Sequence, residues 1–201
     1  MIYTPVRLLS KMFFGLWGKL EIVGETNISP TGPVILVANH ISLLDGFLLV
    51  ALWPRRITFL SAAYLFEKPA VGSFLRSIGA ISVQNEGVPL KGMRRALDVL
   101  QSGATLGIFP EGRICQSDNL GPFQTGWAYL ALKTGTPALP VVININRMVK
   151  PTRTFLPRRR RILVQIAEPW TMEKIPHPQK ETLASMNMRL IQHMENILSK
   201  G

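Results

Sequence analysis

The sequence has only one cysteine, Cys115, among its 201 residues, so no disulfide bond can form within the chain. A chain of this kind is compatible with a reducing compartment, although one cysteine does not establish such a location. No histidine stands near Cys115 in the sequence to act as its base. We therefore interpret Cys115 as an ordinary thiol in a loop and not as a nucleophile.

Long hydrophobic runs are also absent, although 47% of the residues are apolar and the mean hydropathy is +0.19. A helix that spans a bilayer needs roughly 18 or more consecutive apolar residues. The densest apolar stretches, residues 12–18 and 46–53, are far shorter than that. The composition therefore favours a soluble protein with a membrane-facing surface over an integral membrane protein.

Acidic residues are scarce, since 12 Asp and Glu stand against 23 Lys and Arg, and the formal net charge is +11. This excess favours an anionic partner, which is nucleic acid, an anionic membrane surface or an acidic substrate. The basic stretch 150–161, which contains Phe155 and four consecutive arginines at 158–161, is predicted to be an exposed excursion. We favour a membrane as its partner, because the N-terminal segment points to the same surface.

The chain contains neither a G-x-S-x-G motif, which would carry a serine nucleophile, nor a P-loop, which would bind nucleotide phosphates. It also has no internal repeat, no low-complexity segment and no boundary of a second domain. Its length suits one domain with a sizeable core. We therefore expect a compact single-domain protein whose chemistry does not use a serine nucleophile or a bound nucleotide triphosphate.

The N-terminal segment, residues 1–20, has basic residues and no acidic ones. Its apolar residues recur at three- and four-residue steps, which is helical spacing: Val6, Leu9, Phe13, Leu16, Trp17 and Leu20. Two interpretations remain open, an amphipathic helix in the membrane interface and a helix docked on the protein's own core. A cleaved signal peptide is less favoured, because the apolar part is short and no small-x-small cleavage site follows.

Strand and helix signals alternate along residues 21–201, which we assign to a single domain. The pattern predicts strands at 20–24, 33–38, 57–62, 80–83, 104–109, 138–145 and 162–167. It predicts helices that end near residue 53 and that span 69–77, 91–101, 125–134 and 180–200. Such alternation indicates an α/β domain with a central, largely parallel or mixed sheet flanked by helices.

A first motif, N-H-x-S-x-x-D-G at residues 39–46, follows the predicted strand 33–38. His40 is a candidate base there, and Asp45 could orient its ring, since ligands of open α/β sheets bind beyond the carboxyl ends of strands. The alternative is structural, because Ser42 to Asp45 also fits a capping box at the start of a helix. Spacing alone favours that alternative, whereas the full string together with a second motif favours a catalytic pair.

The second motif, F-P-E-G-R at residues 109–113, follows the predicted strand 104–109. Pro110 and Gly112 predict a tight turn, from which Glu111 and Arg113 would project at the strand end. A guanidinium suits a phosphate, and a carboxylate can accept hydrogen bonds from a substrate hydroxyl or hold the arginine. The alternative is a surface ion pair, which contributes little energy.

With these two motifs the chain resembles the glycerolipid acyltransferase family, which includes 1-acylglycerol-3-phosphate and lysophospholipid acyltransferases, over about residues 20–147. The resemblance implies that residues 21–201 form an acyltransferase domain, in which His40 acts as the base on the acceptor hydroxyl and Asp45 orients it. It also implies that Glu111, Gly112 and Arg113 bind the acceptor. It implies no metal and no cofactor, with acyl-CoA or an acylated carrier protein as the donor substrate.

Three departures from the family pattern bear on the acceptor. Arg113 follows Gly112 directly, with Ile114 where many members have arginine, and this F-P-E-G-R-I string is more similar to bacterial 2-acylglycerophosphoethanolamine acyltransferases. The block G-A-I-S-V leads to Gln84 without the usual arginine, and Gln124 replaces a usual lysine. We expect 1-acyl-sn-glycerol-3-phosphate as the acceptor, with another lysolipid such as lysophosphatidylethanolamine as the alternative.

The expected location follows from the same resemblance and from the charge. We expect a peripheral or monotopic protein on the cytoplasmic face of a bacterial inner membrane, bound to its anionic surface, and no nucleic acid partner. A non-enzymatic basic module that binds membrane or nucleic acid is the competing hypothesis. A family member that has lost activity is less favoured, because both His40 and Asp45 are present.

Overall fold

The structure, a computed structural model, describes residues 2–17, 19–83, 90–115, 120–145 and 161–200. Its strands alternate with helices along most of that length. The strands are β1 Lys19–Val23, β2 Val34–Ala38, β3 Ile57–Ala62, β4 Ile81–Val83, β5 Thr105–Ile108, β6 Ala138–Ile145 and β7 Arg161–Ile166. The helices are α1 Tyr3–Trp17, α2 Asp45–Leu52, α3 Ala63–Glu67, α4 Pro69–Ile78, α5 Leu90–Gln101, α6 Gly126–Thr134 and α7 Lys180–Leu198.

All seven strands form one sheet in the order β1-β7-β6-β2-β5-β3-β4. Neighbouring strands run parallel except β6 and β7, which are antiparallel. The central strands β2 and β5 are buried along their whole length, as expected where helices cover both faces of a parallel sheet. The predicted α/β domain with a largely parallel or mixed sheet is therefore confirmed.

The alternating side chains of β2 divide the core into two layers. Leu36 and Ala38 face one cluster, to which α1 and α2 contribute, whereas Ile35 and Val37 face a second cluster built with α5, α6 and α7. Each apolar side chain removed from water contributes roughly 1.5–3 kcal/mol, so both layers stabilise the sheet on which the strand ends are held. The result is a sheet between two layers of helices.

Helix α1 packs on α2 and on the first core layer. Phe14 is buried, the Tyr3 hydroxyl accepts the backbone N–H of Ile57 at 2.9 Å, and Arg7 donates to the carbonyl of Pro54 at 3.0 Å. The docked interpretation therefore holds for this face of the helix. The opposite face is nonetheless apolar and exposed, with Leu8, Leu9, Met12 and Leu16.

The sequence pattern misses α3, a helix of five residues directly after β3. A segment this short cannot display a helical period, so no local signal marks it. Gly72 of α4 explains how α3 packs, because a Cβ at that position would lie 2.2 Å from the carbonyl oxygen of Phe66. None of the helices in the described ranges is long and apolar enough to cross a membrane.

Some sequence predictions fall outside the described residues. The basic excursion is one of them, because residues 150–160 are not described and β7 begins at Arg161. Gln84, where the chain departs from the family pattern, is another, as is the side chain of Trp17. The division of the chain at residue 20 also stays a prediction.

Candidate active site

The two motifs meet at one edge of the sheet. Strands β2 and β5 are parallel neighbours, with Val37 opposite Ile108, so their carboxyl ends lie side by side. His40 lies just beyond the end of β2, and Glu111 just beyond the end of β5. The structure thus brings together residues that are 71 positions apart in the sequence.

His40 and Asp45 are in direct contact. Nδ1 of His40 lies 2.9 Å from Oδ2 of Asp45, with the His40 side chain 19% exposed and that of Asp45 1% exposed. A carboxylate at this distance favours the tautomer in which Nδ1 carries the proton. Nε2 of His40 is then unprotonated and able to accept a proton from a substrate.

The same Asp45 oxygen also closes the turn before α2. Oδ2 accepts the backbone N–H groups of Ile41 and Ser42, both at 2.7 Å, while the Ser42 hydroxyl accepts the N–H of Leu44 at 3.2 Å. Half of the predicted capping box is therefore present, because the carboxylate reaches back to the N–H of Ser42. One oxygen of Asp45 therefore has both the structural role and the ring-orienting role.

The backbone around His40 is held from two sides. The side chain of Asn39, which is buried, donates to the carbonyl of Ile143 at 3.0 Å and accepts its N–H at 2.7 Å, so it extends the ladder between β2 and β6. On the other side, the N–H of Cys115 donates to the carbonyl of His40 at 2.7 Å. These bonds fix the loop that carries the imidazole.

Glu111 is 6% exposed and lies against the His40 loop, with Oε1 3.5 Å from the backbone nitrogen of His40. Burial raises the pKa of this carboxyl above its ordinary value, while the Cys115 thiol and the His40 N–H lower it by a smaller amount. Oε2 is buried and accepts no hydrogen bond from an N–H or O–H group of the described residues. This oxygen therefore has acceptor capacity that no N–H or O–H group of the described residues uses.

Gly112 and Arg113 complete the second motif. Gly112 has φ +66°, in the left-handed region that favours glycine, and its N–H donates to the carbonyl of Phe109 at 3.1 Å to close the turn. Arg113 is exposed, and no ion pair joins it to Glu111, both of which are described. The alternative of a Glu–Arg surface pair is therefore wrong.

Cys115 lies between these groups. Burial raises the pKa of its thiol, and the neighbouring Glu111 raises it further, whereas Arg113 lowers it. A thiol is a nucleophile as its thiolate, so this environment does not activate it. Among the described residues, no group of three or more His, Cys, Asp and Glu side chains could hold a metal ion.

One feature of the site escapes the sequence analysis. The ring of Phe109, the first residue of the second motif, stacks on the His40 imidazole with ring centres 4.1 Å apart and planes at 20°. Phe59 of β3 stacks in turn on Phe109, at 6.0 Å and 4°. The motif itself contains Phe109, but its position after a strand suggests only a core residue.

Comparison with known proteins points to one family. The family model described as Acyltransferase matches residues 19–144, more than half of the chain. A chloroplastic 1-acyl-sn-glycerol-3-phosphate acyltransferase, BAT2, from Brassica napus is 31% identical over 144 residues, which are 67% of this chain and 40% of that protein. This chain thus spans about two fifths of the length of that relative.

Two further proteins cover more of the chain. The 1-acyl-sn-glycerol-3-phosphate acyltransferase of Bacillus subtilis is 25% identical over 192 residues, which are 94% of each protein. The crystal structure of the 1-acyl-sn-glycerophosphate acyltransferase PlsC from Thermotoga maritima has a TM-score of 0.72 at 24% identity. It covers 98% of this chain and 79% of that one, and at this identity the likeness shows the shared fold.

Proposed function

As this chain belongs to the acyltransferase family, we propose that it transfers a fatty acyl group from an acyl thioester to the free hydroxyl of a lysophospholipid. The proposed acceptor is 1-acyl-sn-glycerol-3-phosphate, the substrate class in the names of the relatives from Brassica napus and Bacillus subtilis. The observation that carries the proposal is the direct contact between His40 and the buried Asp45, beside the carboxyl of Glu111.

His40 acts as the general base in the proposed mechanism. Its Nε2 takes the proton of the acceptor hydroxyl as the hydroxyl oxygen attacks the thioester carbonyl, and Asp45 stabilises the imidazolium that forms. The tetrahedral intermediate then expels the thiolate of the donor, which takes the proton from the imidazolium. The ester C–O bond thus forms in the first step and the C–S bond breaks in the second, after which the enzyme is back in its starting state.

The second motif binds the acceptor in this proposal. Oε2 of Glu111, buried without an N–H or O–H donor among the described residues, accepts a hydrogen bond from the glycerol part. Arg113 contacts the phosphate with its planar donors. Gly112 holds the turn that presents both side chains.

No cofactor is needed for this chemistry, because the thioester already activates the acyl group for attack by a hydroxyl. The donor is acyl-CoA or an acylated carrier protein. Both donors present the acyl group as a thioester that the acceptor hydroxyl can attack.

We place the protein on the anionic cytoplasmic face of a bacterial inner membrane, as a peripheral or monotopic protein. Three observations support this location: the exposed apolar face of α1, the exposure of Leu43 and Leu44 between His40 and Asp45, and the net charge of +11. Apolar side chains at the rim of the site would contact the bilayer in which the acceptor lies, and basic residues would favour anionic lipids. A nucleic acid partner is not proposed.

Lysophosphatidylethanolamine is the second candidate acceptor. Arg113 lies near the Cys115 thiol, and the exposed Gln124 stands where the family pattern has a lysine, so fewer cations are available for a phosphomonoester. A phosphodiester carries less charge and needs fewer such contacts.

The test is an acceptor and donor panel with the purified chain. Thioester consumption is measured with lysophosphatidic acid and lysophosphatidylethanolamine in vesicles, each with acyl-CoA and with acylated carrier protein. Faster turnover with lysophosphatidic acid supports the proposed acceptor, and faster turnover with lysophosphatidylethanolamine supports the second candidate. No transfer with any combination would contradict the acyltransferase proposal.

A further inference from the structure

Two aromatic rings are stacked in line behind the imidazole of the candidate base. The imidazole of His40 stacks on Phe109 with ring centres 4.1 Å apart, and Phe109 stacks on Phe59 at 6.0 Å with the two planes only 4° apart. Phe59 is buried in the first core layer, and Phe109 packs against that layer. The stack therefore connects the imidazole to the rigid interior of the sheet.

Gly107 makes this arrangement possible. The register between β3 and β5 places Phe59 beside Gly107, and a Cβ at Gly107 would lie 2.6 Å from two atoms of the Phe59 ring. Real Cβ atoms do not approach other atoms so closely, so a side chain here would displace the ring. Phe59 thus lies across Gly107 and reaches Phe109, which is two residues further along the chain, just beyond the end of β5.

The imidazole is held on one edge by Asp45, through Nδ1. A single hydrogen bond at one edge leaves the ring free to turn about that bond, and such a turn would move Nε2 away from the substrate hydroxyl. A flat ring packed on the imidazole face removes this freedom, because offset aromatic stacking favours near-parallel planes. Asp45 and Phe109 together define the direction in which Nε2 points.

We propose that Phe109 is a positioning residue that holds the His40 ring in its reactive orientation, with Phe59 as the support behind it. The inference rests on the proposed function, in which His40 is the base. A displacement of about 1 Å in a reacting group can cost roughly 100-fold in rate. Loss of the Phe109 ring should therefore lower kcat and leave substrate binding largely unchanged.

The experiment compares three variants with the native chain. Phe109→Leu removes the ring, Phe109→Tyr keeps it, and Phe74→Leu is the matched control, because it breaks the separate stack between Phe47 and Phe74 at 5.5 Å. We expect Phe109→Leu to lower kcat roughly 10- to 100-fold with KM changed less than about 2-fold. Phe109→Tyr should keep kcat within about 3-fold of the native value, and so should Phe74→Leu.

A second measurement does not depend on activity. The NMR shifts of the His40 ring protons should carry the ring current of Phe109, which Phe109→Leu removes and Phe74→Leu leaves in place. Loss of this shift with unchanged kcat would overturn the positioning role, and so would an equal loss of kcat in Phe74→Leu. An unchanged shift in Phe109→Leu would show that the rings do not stack. If the native chain showed the ring current and no acyl transfer, the proposed function would fail and the positioning role with it, while the stack itself would stand.

Discussion

One oxygen of Asp45 joins the turn to the candidate base, since the Oδ2 atom that lies 2.9 Å from Nδ1 of His40 also accepts two backbone N–H groups of the loop between them. The geometry of the loop and the orientation of the imidazole therefore depend on the same carboxylate. A change at Asp45 should affect stability and catalysis in different proportions, according to which of the oxygen's partners the new side chain can still satisfy.

Asp45→Asn keeps an oxygen that can accept the backbone N–H groups, but it loses the charge that stabilises the imidazolium. We expect kcat to fall roughly 100- to 10,000-fold with only a small loss of thermal stability. Asp45→Ala leaves two partly buried N–H groups without their acceptor, at a cost of up to about 1–3 kcal/mol each, so its Tm should fall further. Thermal melts and steady-state kinetics of both variants test this, and equal Tm losses would contradict the turn-closing role.

Glu111 should make the stability of the protein depend on pH. Burial raises the pKa of this carboxyl above its unfolded value, so its contribution to stability is present at low pH and is lost as pH rises through the folded pKa. We expect the Tm of the native chain, relative to that of Glu111→Gln, to fall as the pH rises from below the ordinary carboxyl pKa of 4.5 through the raised pKa of the folded state. The exposed Glu168, changed to Gln, is the control and should show no such trend.

Arg113 should contribute to binding of the acceptor and little to the chemical step. Arg113→Gln removes charge-assisted hydrogen bonds to the phosphate, which are worth about 1.5–3 kcal/mol. The KM for lysophosphatidic acid should therefore rise roughly 10- to 100-fold, with kcat within a few-fold of the native value. Lys180→Gln, at the exposed start of α7, removes an equal charge elsewhere and should leave KM unchanged.

The outer face of α1 should bind the bilayer. Leu9→Gln with Leu16→Gln removes two exposed apolar side chains, each of which would contribute about 1.5–3 kcal/mol if buried in lipid. Binding to vesicles of phosphatidylglycerol and phosphatidylethanolamine, measured by sedimentation, should weaken at least 10-fold. Met188→Gln, an exposed apolar residue of α7, is the control, and an equal loss there would contradict a membrane role specific to α1.

Much of the fold can be predicted from local sequence patterns. The strands Ile57–Ala62 and Ala138–Ile145 have the predicted bounds, because each is a largely apolar run that begins shortly after a proline, which is a strong local signal. Helix α3 is too short to show a period, and the antiparallel pairing of β6 with β7 is a long-range relationship. Such pairings depend on the whole sheet and leave no mark on either segment.

The candidate site could likewise be predicted only in part, because the sequence pattern reveals contacts within a short segment but not those between distant segments. His40 and Asp45 lie at the two ends of one short loop, five residues apart, so their contact can be predicted from the local sequence. The stack of Phe109 on His40 depends on the register of β3 and β5 and on the space above Gly107. The sequence also suggests a Glu111–Arg113 pair, but the Glu111 side chain is buried and lies against the His40 loop instead.

The most direct test of the account is the turnover of acyl thioester by the native chain and by His40→Ala, with lysophosphatidic acid supplied in vesicles. A general base contributes roughly 100- to 10,000-fold, so the variant should lose activity by about that factor while its melting curve stays close to the native one. Equal turnover by the two proteins would remove His40 from the mechanism and contradict the account.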